Sequence, residues 1–220
     1  MLISGVDEAG RGPVIGPLVI AGVLFDENDL PKLTEIGVKD SKLLSPQKRE
    51  TLATQIRKTA LICHTTWLSP AEIDCVVESK RRLHKLNRLE AQAMAKVIAI
   101  LKPDTVYVDA SDILPDRFAE HIAENLSFTP KIVCEHKADK NYPIVSAASI
   151  IAKVERDKAI SKLQKKHGNI GCGYPHDPNT INFLKNWIKK FGDYPDFVRK
   201  SWKTAKRIKN KADPKQKKLQ

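Results

Sequence analysis

The 220-residue chain is 41% hydrophobic and 29% charged, enough for one sizeable core with a small appended element. Lys and Arg number 38 against 26 Asp and Glu, a formal charge of +12 that suits a polyanionic partner, either nucleic acid or an anionic membrane surface. No run approaches the roughly 20 apolar residues of a spanning helix, and no basic stretch leads into an apolar run and cleavage site at the N-terminus, so a cytoplasmic protein is expected.

Residues 2–6 and 17–25 (PLVIAGVLF) are apolar and β-rich, with Pro13, Gly16 and Pro17 suited to a turn between them. Residues 60–68 (ALICHTTWL) make a third strand, and the three read as an antiparallel meander. Ser45-Pro46 starts a helix through QKRETLATQIRK. Ser69-Pro70-Ala71-Glu72 starts another with a capping box. Residues 87–101 (NRLEAQAMAKVIAIL) form a strong helix that Pro103 ends. A short strand over 105–110 (TVYVDA) ends in Asp109, a helix spans about 115–126, and KIVCEHKAD is a strand running into a polar loop with Asp139. Alternating strands and helices here favour parallel pairing through right-handed crossovers. Helices follow at 143–167, 180–191 and 195–210, with a loop at 171–179 and a disordered end. Cys63, Cys75, Cys134 and Cys172 form no C-x-x-C pair or zinc spacing and read as packing residues.

Four acids stand out. Asp7 and Glu8 close the first apolar run, Asp109 ends a second, and Asp139 follows a third. Carboxylates at the ends of adjacent strands converge at one edge of a sheet, where open α/β sheets place ligands. Crowded carboxylates must either stay protonated or be neutralised by a cation. Oxygen-only ligands point to Mg²⁺ or Mn²⁺, and such sites serve phosphoryl transfer to water. Any one of these acids alone reads as an ordinary turn or cap residue.

Gly10-Arg11-Gly12 follows the acidic pair directly. Glycines allow close backbone approach and positive φ, and an arginine grips phosphate bidentately. The segment matches neither a dinucleotide fingerprint nor a P-loop.

With these residues in view, D-E-A-G-R-G-P-V-I-G-P-L-V at 7–19 resembles the opening motif of ribonuclease HII, the type 2 ribonucleases H. Lys39-Asp40-Ser41-Lys42, Val108-Asp109, the block from His136 to Asp157, G-Y-P-H-D-P at 173–178 and S-W-K-T at 201–204 agree, in the style of archaeal members. The resemblance implies an α/β ribonuclease H-like fold, a mixed five-stranded sheet flanked by helices with a C-terminal helical extension. It implies a catalytic domain over 1–170 and a substrate-binding helical element with a basic tail over 171–220. The implied activity is cleavage of the RNA strand in RNA–DNA hybrids and 5′ of ribonucleotides embedded in duplex DNA, leaving 3′-hydroxyl and 5′-phosphate ends. The family's catalytic, metal-holding carboxylates fall on Asp7, Glu8, Asp109 and Asp139. Its 2′-hydroxyl-sensing element falls on Gly10, Arg11 and Gly12, its sugar-packing tyrosine on Tyr174, and a phosphate-contacting lysine on Lys42.

His136 reads as structural rather than as a proton shuttle, and Ser146 and Ser149 as packing residues. The basic run from Arg199 to Lys218 reads as an arm that binds nucleic-acid backbone. Gln216–Gln220 lacks the aromatic pair of a sliding-clamp peptide, so clamp binding is not expected, and nothing demands more than a monomer. Two rivals stay open: a DNA nuclease of the same superfold that ignores the 2′-hydroxyl, and a non-catalytic hybrid-binding module.

Overall fold

The computed structural model describes residues 1–38, 44–80, 83 and 85–212. Lys42, and residues 213–220 on which the clamp expectation rests, lie outside the described residues. The chain divides into two packed units. The first comprises Met1–Ala9, Val19–Trp67 and Arg82–Glu155; the second comprises Gly10–Leu18, Leu68–Arg81 and Arg156–Gln220. The units are interleaved in sequence, and the division falls ahead of the expected boundary at residue 170.

The first unit is built on a five-stranded sheet in the order β3-β2-β1-β4-β5. Its strands are β1 (Leu2–Ala9), β2 (Leu18–Asp26), β3 (Ile62–Leu68), β4 (Thr105–Asp109) and β5 (Lys131–Glu135). β1 pairs antiparallel with β2 and parallel with β4, which in turn pairs parallel with β5. The mixed sheet is the expected one. β1 runs further than its apolar pattern, because pairing with β2 continues through Asp7↔Ala21 and Glu8↔Ile20 to Ala9↔Val19. The two acids therefore lie within the ladder and not beyond it.

β2 is buried on both faces, as a central strand with apolar residues at successive positions must be. On one face, Ala21, Val23 and Phe25 pack with Leu52 and Ile56 of α2 (Pro46–Thr59) and with α7 (Pro143–His167) from Ile144 to Val154. On the other, Gly22 lies against Val97 and Leu101 of α4 (Lys85–Leu101), which packs with α5 (Pro115–Ala123). The short α1 (Pro31–Glu35) was not legible in sequence, and Asp139, expected in a loop, lies on a helical turn, α6 (Ala138–Asn141). Lys137 enters that turn with φ of 59°.

The second unit has its own core of Val14, Ile15, Ile160, Ile170, Leu184, Ile188 and Val198. Its helices are α3 (Pro70–Glu78), α8 (Pro178–Phe191), α9 (Lys203–Ala212) and the C-terminal part of α7. The Ser69–Glu72 capping box on α3 is present as expected. The helix expected over 195–210 begins only at Lys203. Ahead of it the chain pairs with the Gly10–Leu18 segment: Ile15 bridges Val198, and the Gly16 and Arg199 amides donate to the carbonyls of Phe197 and Val14. Turns at 196–197 and 200–201 flank this bridge, so the helix starts only after them.

Two of the four cysteines depart from expectation, while Cys63 packs against the first unit's core as a packing residue should. Cys75 and Cys172 are exposed and Cys63 and Cys134 half-buried, all free thiols. Burial and nearby carboxylates push the Cys134 thiol up to about 12.

Gly5 sets how closely α7 approaches β1. A Cβ there would lie 2.3 Å from the Ile144 carbonyl oxygen, a backbone atom that cannot step aside. Gly5→Ala is expected to destabilise the protein by about 3 kcal/mol, at the upper end of overpacking costs, measured as a urea midpoint shift at unchanged m-value.

Candidate active site

Sheet register brings the first two carboxylates together. Val6 pairs with Val108, so Asp7 and Asp109, one residue further on each strand, sit side by side. α6 supplies the third: the Ala138 amide donates to Asp109 Oδ1 at 2.9 Å, which fixes the turn carrying Asp139 against the end of β4. Asp7, Asp109 and Asp139 each offer a carboxylate oxygen, and these atoms lie within 4.8 Å of one another. Asp7 and Asp139 are buried, and Asp109 is half-buried.

Glu8 is set apart by strand alternation. Successive side chains of β1 leave opposite faces, so Asp7 looks toward α7 and Glu8 toward α4. There it meets Glu90, which is fully buried. Glu8 Oε2 is itself buried with no hydrogen-bond partner among the described residues. The structure thus gathers three of the four expected carboxylates into one cluster, with the fourth next along the same strand.

The electrostatics follow from this crowding. Burial, then the charges of Glu8 and Asp109, raise Asp7 well above the usual carboxylate range. A hydrogen bond from Ser149 on α7 opposes this, so Ser149 does more than pack. Burial, then Glu90, push Glu8 up to about 7. Hard oxygen donors held together at this cost fit a small divalent cation.

Glu90 is the residue that sequence reasoning missed. It was visible as the one acid on the apolar stripe that continues through Met94, Val97 and Leu101 of α4. Asp112 was also missed. It is buried and accepts from Asn87 Nδ2 at 2.7 Å, the Leu114 amide at 3.1 Å and the Arg117 guanidinium, which ties the segment after β4 to α4 and α5.

In the second unit, the Gly10–Gly12 segment lies against Tyr174 through Gly12. Gly10 has φ of 93°, and a Cβ there would lie 2.6 Å from the Pro17 carbonyl oxygen. A Cβ at Gly12 would touch the Tyr174 ring at 3.7 Å. The loop carrying Tyr174 is held by Asp177, which accepts from the Cys172 and Asn179 amides at 2.6 and 2.9 Å. The Arg156 guanidinium lies 5.0 Å from the centre of the Tyr174 ring and donates to the Cys172 carbonyl at 2.7 Å. In the first unit, His136 sits with Nε2 3.1 Å from the Ile113 carbonyl oxygen.

The basic run is less free than expected. Arg199 is fully buried, Lys200 and Lys209 pair with Asp193, and Lys206 pairs with Glu78.

Residues 4–205 match the ribonuclease HII family. A ribonuclease HII of Thermococcus sibiricus is 50% identical over 213 residues, spanning 96% of this chain and 92% of that one. The crystal structure of ribonuclease H2 from Pyrococcus horikoshii superposes with a TM-score of 0.89 at 45% identity, covering 96% of this chain and 99% of that one. Ribonuclease HII of Archaeoglobus fulgidus, solved in a complex with PCNA, superposes at 0.83 with 43% identity, covering 92% and 96%.

The raised Glu8 gives a sign-definite prediction. Below its ordinary 4.5 both folded and unfolded chains hold the proton; above about 7 the folded chain must carry a buried charge beside Glu90. In the absence of divalent metal, Glu8→Gln is expected to be more stable than the wild type above pH about 7, and the gain is expected to fade toward pH about 4.5. Thermal melts across that range check it.

Proposed function

The chain belongs to the ribonuclease HII family, metal-dependent endoribonucleases acting on RNA–DNA hybrids, and we propose that it also cuts 5′ of single ribonucleotides embedded in duplex DNA. The observation that carries this reading is the oxygen cluster of Asp7, Asp109 and Asp139, on a strand that leads at once into a glycine-flanked arginine. A pure binder of polyanions gains nothing from buried acids, and a DNA-only nuclease gains nothing from a backbone element for sensing a 2′-hydroxyl.

Asp7, Asp109 and Asp139 would hold Mg²⁺ or Mn²⁺, with Glu8, next along β1 and hydrogen-bonded to Asp7, flanking the set. When bound there, such a cation would make water a stronger nucleophile and offset the charge that develops on the phosphate and leaving oxygen. Arg11 grips phosphate, and backbone amides of Gly10–Gly12 meet the 2′-hydroxyl. Tyr174, steadied by Arg156, packs on the ribose. Lys42 would add a phosphate contact. Water attacks the phosphorus 5′ of the ribonucleotide, and the bond to the preceding nucleotide's 3′ oxygen breaks. That oxygen takes up a proton to become a 3′-hydroxyl, and the ribonucleotide keeps a 5′-phosphate. The exposed basic side chains within 171–220, such as Lys203, Arg207 and Lys211, would add affinity for the duplex backbone, and the setting is the cytoplasm, where replication leaves such substrates.

A duplex carrying one ribonucleotide is expected to be nicked 5′ of it with Mg²⁺ or Mn²⁺, while an all-DNA duplex stays intact and Asp109→Asn cuts neither. Equal cutting of both duplexes would favour the DNA-nuclease rival, and binding without cutting would favour the non-catalytic module. A Lys203→Gln, Arg207→Gln, Lys211→Gln variant is expected to bind duplex more weakly and to lose roughly one unit of the log–log salt slope per phosphate contact removed. Titration at several salt concentrations checks this.

A further inference from the structure

Arg199 lies in a basic run and has the composition of a phosphate contact. Its position is different. It is fully buried, and its guanidinium fork is occupied by backbone. Nη1 donates to the Arg11 carbonyl at 2.8 Å. Nη2 donates to the Gly10 carbonyl at 2.6 Å and the Gly16 carbonyl at 3.0 Å, and Nε also reaches Gly16 at 3.1 Å. Trp202 lies with its ring centre 5.0 Å from the guanidinium, and its indole N–H donates to the Gly12 carbonyl at 3.1 Å. The carbonyls of Gly10, Arg11 and Gly12 are thus all engaged from one side by two residues of one turn. That turn is pinned in its own right: Asp74 on α3 accepts from the Lys200 and Ser201 amides at 2.7 and 3.0 Å and from the Ser201 hydroxyl.

Peptide planarity converts this into a statement about donors. In a trans peptide the carbonyl of one residue and the N–H of the next point in opposite directions. Turning the Gly10 and Arg11 carbonyls onto Arg199 turns the Arg11 and Gly12 amides away from it. The peptide after Gly12 ends in Pro13 and has no N–H. The cation behind the carbonyls also polarises both peptides, which strengthens their outward N–H groups as donors. Burying a guanidinium is costly, and here each arm of its fork meets an oxygen.

We propose that Arg199, braced by Trp202, is a positioning residue for ribonucleotide recognition: it aims the Arg11 and Gly12 amides at the 2′-hydroxyl and contributes no phosphate contact of its own. The proposal rests on the reading of Gly10–Gly12 as the 2′-hydroxyl sensor. Lysine cannot replace it, because a single ammonium cannot span three carbonyls with a planar fork.

The test is equilibrium binding in an Asp109→Asn background, so that no strand is cut, to a duplex with one ribonucleotide and to the same duplex in DNA alone. The reference chain is expected to favour the ribonucleotide duplex by about tenfold, the worth of one to two hydrogen bonds. Adding Arg199→Lys is expected to collapse that preference to near unity at unchanged affinity for the DNA duplex. Adding Trp202→Phe, which keeps the aromatic face but removes the Gly12 contact, is expected to give an intermediate preference. A full preference in Arg199→Lys, or a parallel loss of both affinities, overturns the proposal. If Arg199→Lys fails to fold by thermal melt, Trp202→Phe decides, and an undiminished preference there overturns it. If the reference chain shows no preference, the sensor reading itself falls and this proposal with it.

Discussion

The constraint on which the first unit depends is the lateral register of β1 against β4. It sets Asp7 beside Asp109 at the end of β4, where burial and then the charges of Glu8 and Asp109 raise the cost of ionising Asp7. Everything nearby answers to that placement. Gly5 lets α7 sit directly on the strand, Ser149 on that helix supplies Asp7 with a hydrogen bond, and the Ala138 amide ties α6 to Asp109 so that Asp139 joins the cluster. The unit accepts local electrostatic stress and balances it with a large apolar core on both sheet faces. A cation would convert the stress into binding free energy, because ligands already gathered pay no further ordering cost.

The second unit solves a different problem with the same economy of means. A segment with two positive-φ glycines needs partners for its backbone polar groups to hold one shape. Its shape comes from outside: from Arg199 and Trp202 on its carbonyls, from the bridge to Val198, and from the Gly173 carbonyl, which accepts from the Val14 and Ile15 amides. Flexible sequence becomes rigid backbone because buried polar groups must find partners. The same rule explains why a charged side chain can be fully buried here without being a defect.

Much of this was legible in the sequence, for physical reasons that differ by element. β2 and α4 announce themselves because central strands and core helices need uninterrupted or periodic apolar residues. The four acids stood out because apolar strands do not end in carboxylates without a use for them. Other features were hidden. β1 was read too short because its last residues are polar, and only pairing with β2 shows that the ladder continues. The helical turn that carries Asp139 is only four residues long and has no periodicity to detect, so its sequence looks like a polar loop. Arg199 was misread because a basic run looks solvated, and its true partners are carbonyls at the opposite end of the chain. Glu90 carried a usable signal, an acid on an apolar stripe, that composition and motif reading pass over.

The central claim is that the Asp7–Asp109–Asp139 cluster is a cation site held at electrostatic cost. Calorimetric titration of Mn²⁺ into the metal-free protein near pH 6, run in buffers of different ionisation enthalpy, tests it most directly. The account predicts binding coupled to proton release, because the raised Asp7 carboxyl must ionise to ligate, and a large loss of affinity in Asp139→Asn. Binding with no proton release, or with an affinity indifferent to Asp139, would contradict it.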